Sequence, residues 1–456
     1  MSSALERIRD YVEHRWSGLD TPGLALALTD RERSLGVLVH GLANVDAALP
    51  VGPRHRFQIG SISKGFTAMA VLQEMEVGRI ALDAPVASYL PWFEVPSRFE
   101  APVTIHHLLS HTGGLACGLD STGDAVAELL LLRETEIGWA PGTRFGYSNA
   151  GYKALGLVLE AVTGRPWWEL VHDRVMAPIG MGEADVIIGN DARARLAVGY
   201  TSPFDDRPWQ PANGWAPSAW FESATADGTI CATAEELTAF ARLLLARGAG
   251  VISEPSFERM TRGLAEDPTA PGNLYGYGVK QIGSERLLGH SGGMIGFTAN
   301  LMVDVVAGVG VTVLMNSAFG SRLDLVGFSI ACLAAEAAGE PMPEIPPAAE
   351  REPPKPVAPG DGRGPRGWES LAGRYRSWNP WAPILDITER GGGLWASLIG
   401  DALDWGEQER ALVPLPDGRY RLGESWSPDR LRFEAFVNGR AVRAVLDGAP
   451  FTRAVA

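Results

Sequence analysis

The sequence has few cysteines and no cluster of basic residues, and each scarcity excludes a class of protein. Three cysteines occur, Cys117, Cys231 and Cys332, and none belongs to a Cys-x-x-Cys pair. A disulfide framework or a cysteine zinc site is therefore not expected, and buried free thiols are the simpler interpretation. The net charge of −14 argues against nucleic acid as a partner, because phosphate groups are bound by clustered Lys and Arg.

Long apolar runs are also missing. From Ala4 to Val12 the chain combines charged and apolar residues in the pattern of an amphipathic helix, which is not the pattern of an apolar signal core. No later segment is long and apolar enough to cross a bilayer. We therefore expect a cytoplasmic protein with no membrane partner.

What the chain does contain is enough apolar sequence, 46% of 456 residues, for one large core and a smaller second one. Strands are predicted at Gly23 to Thr29, Ser34 to Ala43, Arg56 to Ile59, Tyr275 to Ile282, Arg286 to Leu288, Phe297 to Asp304 and Gly310 to Met315. Helices are predicted at Ile105 to Ser110, Ala125 to Ile137, Ala150 to Thr163, Trp167 to Met176, Ala234 to Arg247 and Asp324 to Ala338. This order predicts an α/β (α+β) fold, in which helices flank an antiparallel sheet and a helical subdomain is inserted between sequence-distant strands.

Composition divides the chain into three parts. Residues 1–340 form the main domain, and residues 341–366 are dense in proline and predict a linker. Residues 367–456 contain short alternating segments with turns at Gly391-Gly392-Gly393 and Asn438-Gly439, which predict a small β-barrel.

The stretch Gly60-Ser61-Ile62-Ser63-Lys64 joins a predicted strand to a predicted helix. Ser61 is then at a helix N-terminus, where unpaired N–H groups favour developing negative charge, and Lys64 follows one turn later on the same face. In a Ser-x-x-Lys nucleophile the lysine, or a group that it orients, takes the hydroxyl proton. An ordinary serine cap is the alternative for this motif taken alone.

Two further segments fit such an enzyme. Tyr147 and Asn149 lie two residues apart before a helix, where a phenol could serve as general base and an amide could hold the lysine or a substrate carbonyl. The segment from His290 to Gly293 ends a predicted strand, and the N–H of Gly293 could form an oxyanion hole with that of Ser61. An aromatic plug and a hairpin turn are the respective alternatives, but the three segments together in this order indicate catalysis.

The three motifs are similar to the Ser-x-x-Lys, Tyr-x-Asn and His/Lys-x-Gly signatures of the serine β-lactamase-like superfamily. That superfamily comprises class C β-lactamases, penicillin-binding carboxypeptidases, D-aminopeptidases and related esterases. The segments from His107 to Leu115 and from Ala226 to Thr233 also resemble the family, and the resemblance runs from about Leu5 to Ala338. Some relatives carry an appended lipocalin-like β domain, which would correspond to the predicted barrel.

The resemblance implies a role for each motif residue. Ser61 would be the acylated nucleophile, Lys64 its proton partner, and Tyr147 the base for attack and acid for the leaving group. Asn149 would be a positioning amide, His290 and Gly292 would form the strand wall beside the substrate, and the N–H groups of Ser61 and Gly293 the oxyanion hole. Neither a cofactor nor a metal is implied.

His290 departs from the lysine that class C β-lactamases carry at this place. Histidine is mostly neutral near pH 7 at its ordinary pKa of about 6.5, so a permanent charge for a drug carboxylate is missing. This difference favours the esterase, D-aminopeptidase and amidase branches.

Two other groups of residues invite hypotheses. Trp215, Trp220 and Phe221 are concentrated in one loop, where they either pack the loop or wall an apolar substrate cleft. His107 and His111 could share a metal on one helical face, but no His-Glu-x-x-His pattern supports this, and we predict no metal.

The sequence therefore predicts a serine hydrolase that acts through an acyl-enzyme at Ser61 on a small-molecule ester, amide or peptide. Acyl transfer to an amine, as in penicillin-binding-protein-type thioesterases that cyclise peptides, is one alternative. A non-catalytic binding protein that keeps the fold is another. The barrel is expected to act as a lid over the cleft or as the contact of a homo-oligomer.

Overall fold

The computed structural model describes residues 3–204, 209–318, 323–347, 368–399 and 409–454. The helices are α1 Ser3–Arg15, α2 Ser63–Glu76, α3 Ile105–Leu109, α4 Ala125–Leu131, α5 Asn149–Thr163, α6 Trp167–Val171, α7 Asn190–Arg193, α8 Ala234–Leu245, α9 Glu254–Thr261 and α10 Leu323–Ala338. The strands up to the last of these helices are β1 Gly23–Asp30, β2 Ser34–Asn44, β3 Leu49–Pro50, β4 Phe57–Gln58, β5 Tyr200–Thr201, β6 Ala216–Pro217, β7 Cys231–Ala232, β8 Ala265–Glu266, β9 Leu274–Tyr275, β10 Lys280–Gln281, β11 Leu287–Met294, β12 Phe297–Asp304 and β13 Val309–Met315. The later strands are β14 Gly373–Arg376, β15 Ile384–Arg390, β16 Gly393–Ile399, β17 Arg410–Pro414, β18 Tyr420–Leu422, β19 Arg430–Val437, β20 Arg440–Leu446 and β21 Ala449–Arg453.

The described residues divide into two compact units. The first unit contains the chain through Ala84, then Leu155–Thr201, and then Gly214 onwards as far as residue 347. The second unit contains Pro85–Ala154, the described part of residues 202–213, and the described residues from 368 on. Residues 348–366 of the predicted linker lie outside the described residues.

The first unit is built on one antiparallel sheet in the order β3-β2-β1-β13-β12-β11-β10-β9-β8. Within this sheet β1 pairs with β13, so that Leu24 lies opposite Met315, and this pairing joins sequence-distant strands as predicted. Leu, Val and Met side chains of these strands form a core with α1 and α10, in which Tyr11 stacks on Phe328. Burial of α1 and α10 against the strands explains why each helix has an apolar stripe.

The second unit combines the helices α3 and α4 and the start of α5 with a closed antiparallel barrel. The barrel follows the chain order from β14 to β21, and β14 closes it by pairing with β21. Apolar side chains fill its interior, among them Leu371, Tyr375 and Phe451. The predicted fold class is confirmed, with its antiparallel sheet, its helical subdomain and its barrel. Among the described residues, no helix combines the length and the apolar character that a bilayer span requires.

Three helix predictions were wrong in extent. The stretch predicted from Ala125 to Ile137 is α-helical only to Leu131, and a 3-10 turn Leu132–Glu134 follows. The stretch from Trp167 to Met176 changes at His172 from α-helix to π-helix. The third is at Ser61, where a 3-10 turn Gly60–Ile62 precedes the α-helix that begins at Ser63.

Two strand predictions near the third motif were also wrong. The strand expected from Tyr275 to Ile282 is two short strands, β9 and β10, because Gly278 turns the chain with φ +68°. The strand expected to end at Leu288 continues to Met294, so the His290 motif lies inside β11. Its glycines allow close approach of another segment, a need that turn statistics do not reveal.

Candidate active site

Ser61 lies in the 3-10 turn that connects β4 to α2 in the first unit. β4 pairs with β7, with Phe57 opposite Ala232, and so fixes the direction in which the chain enters the turn. Gly60 has φ +53°, a left-handed conformation that glycine adopts without strain. Ser61 is half-buried, whereas the next turn of the chain is buried.

Lys64 is fully buried, and its ammonium group has two described acceptors. The Nζ atom donates to Ser61 Oγ at 3.0 Å and to the main-chain carbonyl of Asp227 at 2.8 Å. A buried cation is tolerated only where it is well hydrogen-bonded, so these acceptors both stabilise the lysine and hold it against the serine hydroxyl.

The segment that supplies the Asp227 carbonyl is tied to α2 on both sides. Thr67 Oγ1 donates to the carbonyl of Ala226 at 2.7 Å, and the N–H of Ile230 donates to Ser63 Oγ at 3.2 Å. Sequence reasoning missed the part played by Asp227, because a main-chain carbonyl leaves no signal in residue type.

β11 passes the Ser61 turn at a distance that only glycine allows. A Cβ atom built on Gly292 would lie 1.9 Å from the carbonyl oxygen of Ile59 and 3.1 Å from the N atom of Ser61. A Cβ atom built on Gly60 would lie 2.7 Å from the N atom of Gly293. The two N–H groups that the sequence assigns to an oxyanion hole therefore belong to adjacent backbone segments, and Gly293 is exposed.

His290 is buried in β11, and each of its ring nitrogens has a hydrogen-bond partner. Nδ1 lies 2.5 Å from the carbonyl oxygen of Ser291, which can only accept, so Nδ1 carries the proton. Nε2 then accepts from the hydroxyl of Tyr275 at 3.0 Å. Burial, followed by the charge of Lys280, holds the pKa of His290 well below its ordinary value, so the ring is neutral at pH 7.

Tyr275, which sequence reasoning did not single out, lies in a buried environment next to charged residues. The tyrosine is fully buried, and Lys280 Nζ lies 5.9 Å from its ring centroid. Lys280 is paired with Asp267 at 2.9 Å. Against the effect of burial, hydrogen bonds from the Thr269 hydroxyl and from Lys280 lower the pKa of Asp267. A tyrosine on β9 could have been noticed only once β9 was known to lie two strands from His290.

The aromatic loop also belongs to the first unit, where Trp215, Trp220 and Phe221 are all half-buried. Arg193 lies 5.1 Å from the ring centroid of Trp220, whose indole N–H donates to Glu222 at 3.4 Å. These contacts order Trp220, and the assignment of the loop to a substrate cleft stays a prediction.

Tyr147 and Asn149 lie in the second unit, at the start of α5. The ring of His111 packs against that of Tyr147, with 4.2 Å between centroids, and its Nδ1 accepts from the N–H of Ser148 at 3.1 Å. Ser148 Oγ donates to the carbonyl of Ala116 at 2.7 Å. The phenol is thus held by a fixed backbone and a buried ring.

The amide of Asn149 is oriented by a carboxylate. Its Nδ2 donates to Asp120 Oδ2 at 3.1 Å, and the other Asp120 oxygen is paired with the buried ammonium of Lys153. Asp120 has φ +49°, a conformation that aspartate tolerates better than most residues. Sequence reasoning missed Asp120 and Lys153, although Lys153 lies one helical turn after Asn149.

The hypothesis that His107 and His111 share a helical face is wrong. α3 ends at Leu109, Ser110 caps it, and His111 has φ +56°, outside the helix. The Nδ1 of His107 instead accepts from the N–H of Thr104, as half of a capping box, and burial lowers the pKa of His107 to about 4.

Comparisons with known proteins agree with this fold. The family model described as beta-lactamase matches residues 8–331. Penicillin-binding protein 4 of Amycolatopsis lactamdurans is 31% identical over 348 residues, which cover 72% of this chain and 90% of that protein. The chain therefore belongs to the β-lactamase family, as its three motifs predict.

Two solved structures show the same fold. The octameric penicillin-binding protein homologue from Pyrococcus abyssi has a TM-score of 0.63 and 22% identity, and the match covers 99% of each chain. The D-stereospecific amidohydrolase from Streptomyces sp. has a TM-score of 0.61 and 21% identity, over 74% of this chain and 99% of that chain. Family, fold and relatives together support serine hydrolase as the general activity.

Proposed function

We propose that the chain hydrolyses esters or amides of small acyl groups through an acyl-enzyme at Ser61. The observation that carries the proposal is the buried ammonium of Lys64, 3.0 Å from Ser61 Oγ, beside the glycine strand of β11. A serine cap needs neither a buried lysine nor a neighbouring strand that approaches as closely as β11 does at Gly292.

In the proposed reaction, Ser61 Oγ attacks the substrate carbonyl and gives up its proton. The role of Tyr147 as acceptor of that proton and donor to the leaving group is carried over from the chemistry of the family. The N–H groups of Ser61 and Gly293 stabilise the negative charge on the carbonyl oxygen, which in enzymes of this kind supplies about 3 kcal/mol per donor. Water then releases the acyl group by the reverse sequence.

The neutral His290 guides the choice of substrate. An uncharged ring with both nitrogens occupied offers no permanent charge to a substrate carboxylate. We therefore propose that the substrate is an ester, or an amide or peptide with D-configured residues, and not a β-lactam. The fold shared with the Streptomyces D-stereospecific amidohydrolase supports this choice.

Stopped-flow release of p-nitrophenol from a short acyl ester tests the proposal. The native chain should give a burst of one equivalent, and Ser61→Ala should give none. Ser329→Ala is the matched control, because Ser329 is a fully buried serine of the same unit, on α10, whose hydroxyl donates to the carbonyl of Leu325. Equal slow rates in the native chain and Ser61→Ala would favour the binding-protein alternative.

Product identity separates hydrolysis from acyl transfer. With a peptidyl thioester that has a free amino end, a hydrolase yields mainly the free acid and a cyclase mainly the macrocycle. We propose the free acid as the main product, and a dominant macrocycle in mass spectrometry would replace hydrolase with cyclase.

We also propose that the chain forms a homo-oligomer. The support is the octameric Pyrococcus abyssi homologue, whose fold matches this chain along its whole length. Light scattering at micromolar concentration should give the mass of two or more chains of 48.8 kDa, and the mass of a single chain would contradict the proposal.

A further inference from the structure

A leucine of the helical subdomain lies in the core of the barrel. Leu119 is 7% exposed and belongs to the same apolar cluster as Leu371, Tyr375 and Leu385 of the barrel. Its carbonyl oxygen accepts from Asn379 Nδ2 at 2.6 Å.

Asn379 is well placed to hold this contact. Its side chain is buried, and its other end, Oδ1, accepts from the N–H of Trp381 at 3.0 Å. The amide is therefore fixed in one orientation, with its NH₂ group toward Leu119. Asn379 follows β14 and precedes β15, so the barrel itself sets the position of the Leu119 carbonyl.

The next residue, Asp120, is the carboxylate that orients Asn149. The segment that leads to it also follows the start of α5 through main-chain contacts. The N–H of Ala150 donates to the carbonyl of Cys117 at 3.1 Å, and Ser148 Oγ donates to the carbonyl of Ala116. Residues 116–120 thus connect the barrel core at one end with the Tyr147-Ser148-Asn149 motif at the other.

We infer that the barrel is a positioning element. Through Leu119 and Asp120 it sets the orientation of the Asn149 side chain. The apolar anchor and the Asn379 hydrogen bond fix Leu119 and so the backbone of the adjacent Asp120. The Asp120 carboxylate, which is also paired with Lys153, then orients the Asn149 amide. The inference rests on the proposed function, because its kinetic consequence is the rate of acylation at Ser61. It gives the barrel a role other than the lid or oligomer contact expected from the sequence.

Substitution of Leu119 tests the inference. Leu119→Ala should lower the burst rate constant about tenfold, since small displacements of a positioning group cost up to a hundredfold, and Leu119→Met should restore most of it. The matched control is Leu412→Ala, because Leu412 is equally buried in the barrel core but lies on β17, between β16 and β18. We expect a similar drop in melting temperature and less than a twofold change in rate for the control.

A double-mutant cycle separates this route from general loosening of the barrel. In an Asn149→Ala background, Leu119→Ala should slow the burst no more than Leu412→Ala does, because the group through which Leu119 acts is gone. Equal rate losses for the two leucine variants in the native background, or a full Leu119 effect in the Asn149→Ala background, would overturn the inference.

Hydrogen exchange gives a readout that does not depend on catalysis. Leu119→Ala should raise the exchange rates of amides in residues 148–153 more than Leu412→Ala does. If the native chain shows no Ser61-dependent burst, the proposed function fails, and exchange alone then decides whether the barrel holds this segment. Unchanged exchange in residues 148–153 would overturn the inference whatever the activity.

Discussion

At the scale of single residues, Lys64 is a buried cation that donates to the proposed nucleophile. Replacing it with methionine keeps most of its volume and removes the charge that lies against Ser61. We expect Lys64→Met to lower the burst rate constant by about 10²–10⁴-fold, the range for loss of a positioned proton-transfer group. Stopped-flow kinetics together with thermal unfolding measures this, and a burst within fivefold of the native rate would exclude Lys64 from proton transfer.

In the folded chain, the charged form of Asp447 is disfavoured. Burial, with the neighbouring Asp429 adding to it, raises the pKa of the Asp447 carboxyl well above 3.8. The folded chain therefore keeps a proton that the unfolded chain loses, and stability falls as pH rises above about 4.

Asp447→Asn should remove this dependence on pH. Asparagine keeps an oxygen to accept from the N–H of Arg430, and it tolerates the φ of +49° at this turn. In urea unfolding the variant should match the native chain near pH 4 and become the more stable of the two as the pH rises toward 8. Parallel curves for the two chains across this range would show that Asp447 does not bind the extra proton.

At the scale of elements, the contact between β11 and the Ser61 turn depends on one glycine. A Cβ on Gly292 would overlap the carbonyl of Ile59, whereas a Cβ on Gly293 would meet nothing within 4 Å. Gly292→Ala should cost about 1–3 kcal/mol of unfolding free energy, and Gly293→Ala should leave stability within about 0.5 kcal/mol. Denaturant unfolding of the two variants compares them, and equal losses would mean that β11 and the turn are not in contact.

The sequence predicted those elements in which the pattern of apolar residues matches the buried positions. β12 was predicted with its observed bounds, Phe297 to Asp304, and the β1–β2 hairpin within one residue, because apolar strands between polar turns have a clear signature. The extent of β11 was not predictable in this way. Glycine is typical of turns, and here it serves close approach inside a strand.

The candidate site also contains residues that the sequence pattern predicts and residues that it does not. Ser61, Lys64, Tyr147 and Asn149 were predicted as site residues because each contributes a side chain within a short motif. Their supports were missed because they act through a main-chain carbonyl or from a distant segment: Asp227 holds Lys64, Asp120 holds Asn149, and Tyr275 holds His290. Such partners are specified by the fold, and no spacing in the sequence indicates them.

At the scale of the whole molecule, the barrel and the helical subdomain form one unit joined by buried charge. Arg430 is 4% exposed, donates to Glu136 at 2.5 Å, and also donates to the carbonyls of Ser427 and Asp429. We expect Arg430→Met to cost about 2–3 kcal/mol, because acceptors that lose a buried donor stay unsatisfied. Hydrogen exchange should then accelerate together in residues 132–139 and in the barrel strands.

Arg432→Met is the control for this prediction. Arg432 pairs with Glu134, but both side chains are more than a third exposed, so its loss should cost less than about 1 kcal/mol. If exchange after Arg430→Met rises in the barrel strands alone, the two parts of the second unit do not unfold together.

Intact mass after brief reaction with a p-nitrophenyl ester, followed by peptide mapping, tests directly whether Ser61 is the nucleophile. We expect one acyl group per chain, carried on Ser61, present in Ser329→Ala and missing in Ser61→Ala. An unmodified native chain during turnover, or an acyl group mapped to another residue, would contradict the assignment of Ser61 as the nucleophile.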